Sequence, residues 1–333
     1  NDTATAVEKG PLSVARNALG ATGNADFGYF GGGYSGGYVS TVDRVDYSND
    51  TATASPKGIL SVSRWMLGAT GDSSFGYFGG GSQPTAQSTV DRVDYSNDTA
   101  TASPKGALSS ARYALAAASA RANGFVPIGP ALTDNTAAVA GSFNPTTVGF
   151  FAGGYNSSGE LSVVDRIDYS NDTATALSLA NLSFSAWSVS GTGNSFFGYF
   201  IGGETFPSPQ FSSINRVDYS NDTLTSSVSP LPIARSSIGA TGNKNFGYVG
   251  GGRTPTNIST VDRIDYSNDA TAASPKGPLS LARAEIAAVG NQSFGYFCGS
   301  GGLTLPKVST IDRVDYSNDT ATASPKGPLT GGK

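Results

Sequence analysis

The sequence predicts an all-β protein, a six-bladed β-propeller of four-stranded antiparallel blades, built as a single domain over residues 1–333. Asn-Asp-(Thr/Ala) recurs at Asn1, Asn49, Asn97, Asn171, Asn221, Asn268 and Asn318, at intervals of 48, 48, 74, 50, 47 and 50 residues. Near-verbatim sequence surrounds each copy, so one supersecondary unit is repeated along the chain. Each unit carries four strand-length segments and none with the length or period of a helix. Four short strands in a unit of about 48 residues is the size of a propeller blade.

The unit containing residues 41–81 shows how each element arises. Val42–Ser48 (VDRVDYS) reads as a strand closed by Asn49-Asp50, whose side chains bond to nearby backbone in turns. Thr51–Ser55 (TATAS) reads as the outer strand, ended by Pro56-Lys57-Gly58. After a loop, Trp65–Thr70 (WMLGAT) suits the innermost strand, because only Gly, Ala and Thr fit where blades converge. Gly71-Asp72 turns the chain into Phe75–Gly81 (FGYFGGG). Its aromatics fill the wedge between blades and its glycines admit a neighbouring backbone. Three of these strand types occur six times and the TATA segment seven, with Thr3–Val7 duplicating Thr320–Ser324. The count predicts six blades, with 285–316 supplying the closing one, and a spare terminal strand. The chain opens and closes in mid-repeat, which reads as a segment of a longer protein.

Composition removes several chemistries. With no His and a single Cys, a His-ligated metal, a Ser-His-Asp triad and a Cys-His dyad are excluded. Cys298 reads as a small buried hydrophobe. A net charge of −4 disfavours nucleic acid or an anionic membrane as partner, and no apolar run is long enough to insert in a bilayer. Asp46-x-Ser48-x-Asp50 opens like a calcium loop but lacks the later Gly and Glu, so no metal or cofactor is expected.

The strand ending in Gly-Gly, the following V-D-R-x-D and the later P-L-x-x-x-R resemble the kelch repeat over essentially the whole chain. Its Gly-Gly element stands at Gly32-Gly33, Gly80-Gly81, Gly153-Gly154, Gly202-Gly203 and Gly251-Gly252, loosening to Gly299-Ser300-Gly301. The Trp of the kelch outer strand is replaced here by TATAS. The phrase DYSNDTATAS-KGPLS also resembles repeats in structural proteins of marine tailed phages.

Comparing units separates scaffold from decoration. Arg44, Arg92, Arg166, Arg216, Arg263 and Arg313 recur in every unit, each followed two residues later by Asp46, Asp94, Asp168, Asp218, Asp265 and Asp315. Residues i and i+2 share a strand face, so each Arg is expected to pair with that Asp or with a neighbouring blade, as structure rather than site. Arg16, Arg64, Arg112, Arg235 and Arg283 recur before the innermost strand, with Ala186 in the fourth unit. They read as loop anchors, with an anion-binding ring at one channel mouth as the alternative.

The next position varies freely (Asn17, Trp65, Tyr113, Trp187, Ser236, Ala284) and holds both tryptophans. The segment between GGG and V-D-R varies most, and by topology it opens on the same face. Tyr34, Tyr38, Trp65, Tyr113, Tyr155, Trp187, Phe206, Phe211 and Arg253 are therefore the ligand-binding candidates, suited to stacking on sugars or peptides. Residues 120–146 form an insertion in the third unit, predicted on the opposite face as an assembly contact.

The function expected from these features is non-catalytic binding or assembly. The chain would be a virion or extracellular, cell-surface component that recognises a host glycan or protein, with assembly into a larger particle or filament. The alternatives are a propeller lyase or hydrolase working at the channel mouth with Arg, Tyr and Asp, and a purely structural repeat module.

Overall fold

The computed structural model describes residues 9–119, 148–207, 209–226, 228–300, 308–326 and 328–329. Six four-stranded antiparallel sheets follow one another along the chain, each strand paired with its neighbours in sequence order within the sheet. The innermost strands are Gly20–Gly23, Gly68–Gly71, Ala116–Ser119, Ser190–Gly193, Gly239–Gly242 and Ala287–Gly290, and they lie side by side from the first blade to the sixth. In the first blade the order outward is Phe27–Gly31, Val42–Asp46 and Ser55–Pro56. Among the described residues there is no α-helix, only a 3-10 turn at Tyr169–Asn171.

One strand assignment needs correction. The outer strand is not TATAS: in five blades it is a two- or three-residue piece such as Ser55–Pro56, Ser103–Pro104 or Ser274–Lys276. The TATA segment leaves the sheet because its last Ala bonds to the linker arriving from the preceding unit. Ala54, Ala102, Ala176, Ala273 and Ala323 donate their backbone N–H to Pro11, Ile59, Ala107, Pro230 and Pro278. Only the fourth blade forms a strand inside this segment, at Thr223–Thr225. The sixth blade runs from Ala287 to Lys326, so the C-terminal copy completes it at Ser324–Lys326; Thr3–Val7 and the 120–146 insertion lie outside the described residues.

Blades are joined by alternation along the FGYF strand. One ring faces back: Phe78, Phe151 and Phe297 lie over Gly31, Gly79 and Gly250, where an added Cβ would come within 2.8 Å of the ring. The other faces forward: Tyr29, Tyr77, Tyr199 and Tyr248 stack on Tyr95, Tyr169, Tyr266 and Tyr316 of the next blade, with centroids 4.4–4.8 Å apart. Each such ring, removed from water, contributes ~1.5–3 kcal/mol. The doublets Gly32-Gly33 through Gly251-Gly252 take φ of about 60–68° and 101–112°, a left-handed path closed to other residues without strain.

The Asp of Asn-Asp holds these interfaces together. Asp172 accepts hydrogen bonds from the Tyr77 hydroxyl (2.8 Å) and Arg92 (2.7 Å) of the preceding blade, with Lys105 at 3.4 Å. Asp98 does the same for Tyr29, Arg44 and Lys57, and Asp319 for Tyr248, Arg263 and Lys276. Each of Arg44, Arg92, Arg216 and Arg263 also lies 4.3–4.7 Å over the Phe that opens its FGYF strand.

The recurrent Arg thus pairs across blades rather than with the Asp two residues on. Asp46, Asp94, Asp218, Asp265 and Asp315 instead accept the backbone N–H and hydroxyl of the Ser two residues later, closing the turn. Arg166 also reaches its own strand's Asp168, at 3.5 Å, while its shorter contact is to Asp222 of the next blade at 3.0 Å.

A second set of ion pairs lies inside five of the six blades. Arg16, Arg64, Arg112, Arg235 and Arg283 bond to Asp43, Asp91, Asp165, Asp262 and Asp312 at 2.6–2.8 Å, with side chains almost wholly buried. The anchoring reading of these arginines holds, and none is placed to ring a channel mouth for an anion. In the fourth blade Ala186 replaces the Arg and Asn215 replaces the Asp. The two changes go together because an Asp buried there without its Arg would be an uncompensated charge.

Candidate functional site: an aromatic cup on the variable face

The variable residue after each anchoring Arg is held in place by two backbone devices. The residue that follows it adopts a left-handed conformation in every blade: Ala18, Met66, Ala114, Ser188, Ser237 and Glu285, with φ of 50–56°. None is glycine, so each position carries strain that the surrounding contacts must hold. These residues are linked from blade to blade, Met66 N–H to Ala18, Ala114 to Met66, Ser188 to Ala114 and Glu285 to Ser237. The variable residue itself pairs by backbone with the first residue after the Gly-Gly doublet. The pairs are Asn17 with Tyr34, Trp65 with Ser82, Tyr113 with Tyr155, Trp187 with Glu204, and Ser236 with Arg253.

Each of these five blades therefore offers a two-residue platform, and those of the second, third and fourth blades contribute to one cleft. Tyr38, Trp65, Met66, Ser82, Pro84, Tyr113, Tyr155, Trp187 and Phe206 enclose about 560 Å³. Tyr34 and Tyr38 flank Trp65 with ring centroids 5.6 and 6.4 Å away, and Tyr113 lies 5.6 Å from Tyr155. Burial raises the Tyr113 phenol above its ordinary value, with Tyr155 adding to the shift. The Tyr113 hydroxyl accordingly stays neutral and able to donate or accept. Phe206 at the rim is 80% exposed, and its backbone N–H donates to Glu160.

Sequence-predicted residues divide clearly here. Tyr38, Trp65, Tyr113, Tyr155, Trp187 and Phe206 line the cleft, and Tyr34 backs Trp65 and Tyr38. Phe211 does not belong: it stacks on Phe184 at 4.5 Å and packs against the core of the fourth blade. Arg253 sits beyond the aromatic arc, held by the buried Glu204 carboxylate at 2.7 Å. Met66, Ser82 and Pro84 went unrecognised, although their neighbours Trp65 and the variable segment marked the place. Cys298, expected to be buried, is half-buried, and burial raises its thiol above the ordinary value.

The cup is lopsided. Aromatics come from the first four units, while the fifth and sixth place Ser236 and Ala284 at the equivalent position. A smaller cleft of about 400 Å³ on the opposite rim is lined by Asn194, Phe197, Phe246, Asp265 and Tyr266 among others. Most of its lining is scaffold that recurs in every unit, whereas the cup is made of residues that break the repeat.

No protein-family model matches the chain, and no curated protein matches it by sequence. Among solved structures the chain is similar to that of YjhT, with a TM-score of 0.68 over 95% of this chain and 99% of that one, at 10% identity. At that identity the likeness shows the propeller fold alone.

Proposed function

We propose that this chain is a non-catalytic binding propeller that takes a sugar chain in its aromatic cup, in the setting of a virion or cell surface. The observation that carries the reading is that the residues departing from the repeat are aromatic and converge on one cleft. Flat rings such as Trp65 and Tyr155 stack on the apolar faces of sugar rings at little conformational cost, while the phenols supply hydrogen bonds to hydroxyls. Extended peptides make weaker use of such an arc, because they need unpaired backbone donors and acceptors beside the rings. The kelch-like signature in the Gly-Gly and V-D-R-x-D elements supports the same class of binding scaffold. A glycan array run beside light scattering tests the proposal. Selective retention of one glycan family, lost in Trp65→Ala and Tyr155→Ala, supports it; no glycan retained, or retention untouched by both substitutions, overturns it.

A further inference from the structure

All five blade junctions carry an Arg-Asp pair and four add a Tyr hydroxyl on the same Asp, and the faces that would make a sixth are exposed. Tyr47 is 54% exposed, whereas its equivalents Tyr95, Tyr169, Tyr219 and Tyr266 are 0–9% exposed beneath the preceding blade. On the facing side Val289 is 63% exposed, against 1–6% for Thr70, Ala118, Thr192 and Thr241. Phe30 and Cys298 are only half-buried, where Phe78 over Gly31 and Phe297 over Gly250 are sealed. The Asp50 side chain is 41% exposed and contacts Lys9 at 3.1 Å, while Asp98 and Asp172 are 7% exposed and hold a Tyr and an Arg as well.

These faces do not fit each other directly, because each already carries a linker. At an inner junction one Lys-Gly-x-Leu segment serves both blades: Lys57 and Leu60 donate back to Val42 and Ser40, and Gly58 donates forward to Asp98. At the open faces two segments share that work. Leu329 donates to Ser309 on the sixth blade, and Gly10 donates to Asp50 on the first. Two linkers imply two junctions, with one blade between them.

We propose that the exposed faces of the first and sixth blades form a docking slot for one further blade of this same repeat. Its F-G-Y-F and D-R strands would meet Tyr47 and Asp50, and its D-Y-S-N-D turn would meet the sixth blade. The contacts needed are those already made at four of the five junctions, so the partner is specified by chemistry: a four-stranded unit with these two signatures. A second whole copy of the chain fits less well, since its first blade brings its own linker into the place the sixth blade's linker occupies.

The test adds to the full chain a synthetic polypeptide copying residues 59–106, followed by titration calorimetry and light scattering. A one-to-one complex is expected, weakened about tenfold or more by Tyr47→Ala or Asp50→Ala, both surface changes. A fusion carrying the same unit after the last residue keeps the test valid if the free polypeptide stays unfolded. The fused unit is expected to unfold together with the rest in one transition and to protect Tyr47 from solvent. Three results overturn the proposal: no binding and no protection, dimers or filaments of the chain alone, or a disulfide within one molecule between Tyr47→Cys and Val289→Cys in a Cys298→Ala background.

Discussion

The two rims of the propeller use the same blades for opposite ends. On the rim that carries the Asn-Asp turns, every blade repeats the same Arg and Asp and all but the third the same Tyr, and the contacts at most junctions are nearly superimposable. On the other rim, one position per blade holds Asn17, Trp65, Tyr113, Trp187, Ser236 and Ala284 in turn, and the three aromatics among them meet in a cup. Repetition marks what every blade needs for folding. Departure from it marks what the molecule does once, at one place.

The difference is broken most severely at the buried ion pairs. Arg64→Ala would leave Asp91 charged and fully buried, and is expected to destabilise by ~3–5 kcal/mol in chemical denaturation. Adding Asp91→Asn copies the Ala186 and Asn215 pairing of the fourth blade, and the double variant is expected to recover part of that loss. If the double variant is no more stable than Arg64→Ala, the compensation argument fails.

Next in size is the junction carboxylate. Asp172→Ala removes the acceptor for Tyr77, Arg92 and Lys105 together, an expected loss of ~2–3 kcal/mol. Asp222→Ala is expected to cost less, because at that junction Phe150 has no hydroxyl and Leu179 stands where four of the units have Lys. Equal losses would show that the Tyr and Lys contacts contribute little.

The smallest effect concerns pH. Asp94 is held below its ordinary value of 3.8, chiefly by the Ser96 hydroxyl and also by the Ser96 backbone N–H. A lowered carboxylate contributes stability that is present above the unfolded pKa and lost as pH falls through the folded one. Asp222 is shifted upward by burial, with Arg166 opposing, so its contribution has the opposite sign and stability is regained as pH falls through its raised pKa. Acid unfolding is therefore expected to be blunted by Asp94→Asn, whereas Asp222→Asn is expected to stabilise the protein near neutral pH. A midpoint that moves the same way with pH in both variants would contradict these signs.

Much of the scaffold was legible from the period alone, since spacing, turn chemistry and strand length all point to one blade. The cup was legible too, because comparison between units isolates the positions that vary. What escaped was which partner each charged side chain takes. Strand alternation places Arg44 and Asp46 on one face, but the Asp46 carboxylate finds Ser48 closer, and only three-dimensional stacking brings Asp98 under Arg44. The TATA segment misled for a similar reason: alternating Thr and Ala suits a strand, and the linker from the preceding unit captures its last Ala instead. Phe211 lay in a variable segment yet turned inward, because Phe184 of the adjoining loop offers it a stacking surface.

Arg64 and Trp65, adjacent in the chain, carry the division of the rims in its sharpest form. Measuring unfolding free energy and glycan affinity for Arg64→Ala and Trp65→Ala side by side tests it most directly. The expected result is a loss of ~3–5 kcal/mol with affinity retained in the folded fraction for Arg64→Ala, and a loss near ~1 kcal/mol with affinity down at least tenfold for Trp65→Ala. Comparable destabilisation by both, with unchanged affinity in Trp65→Ala, would contradict the account.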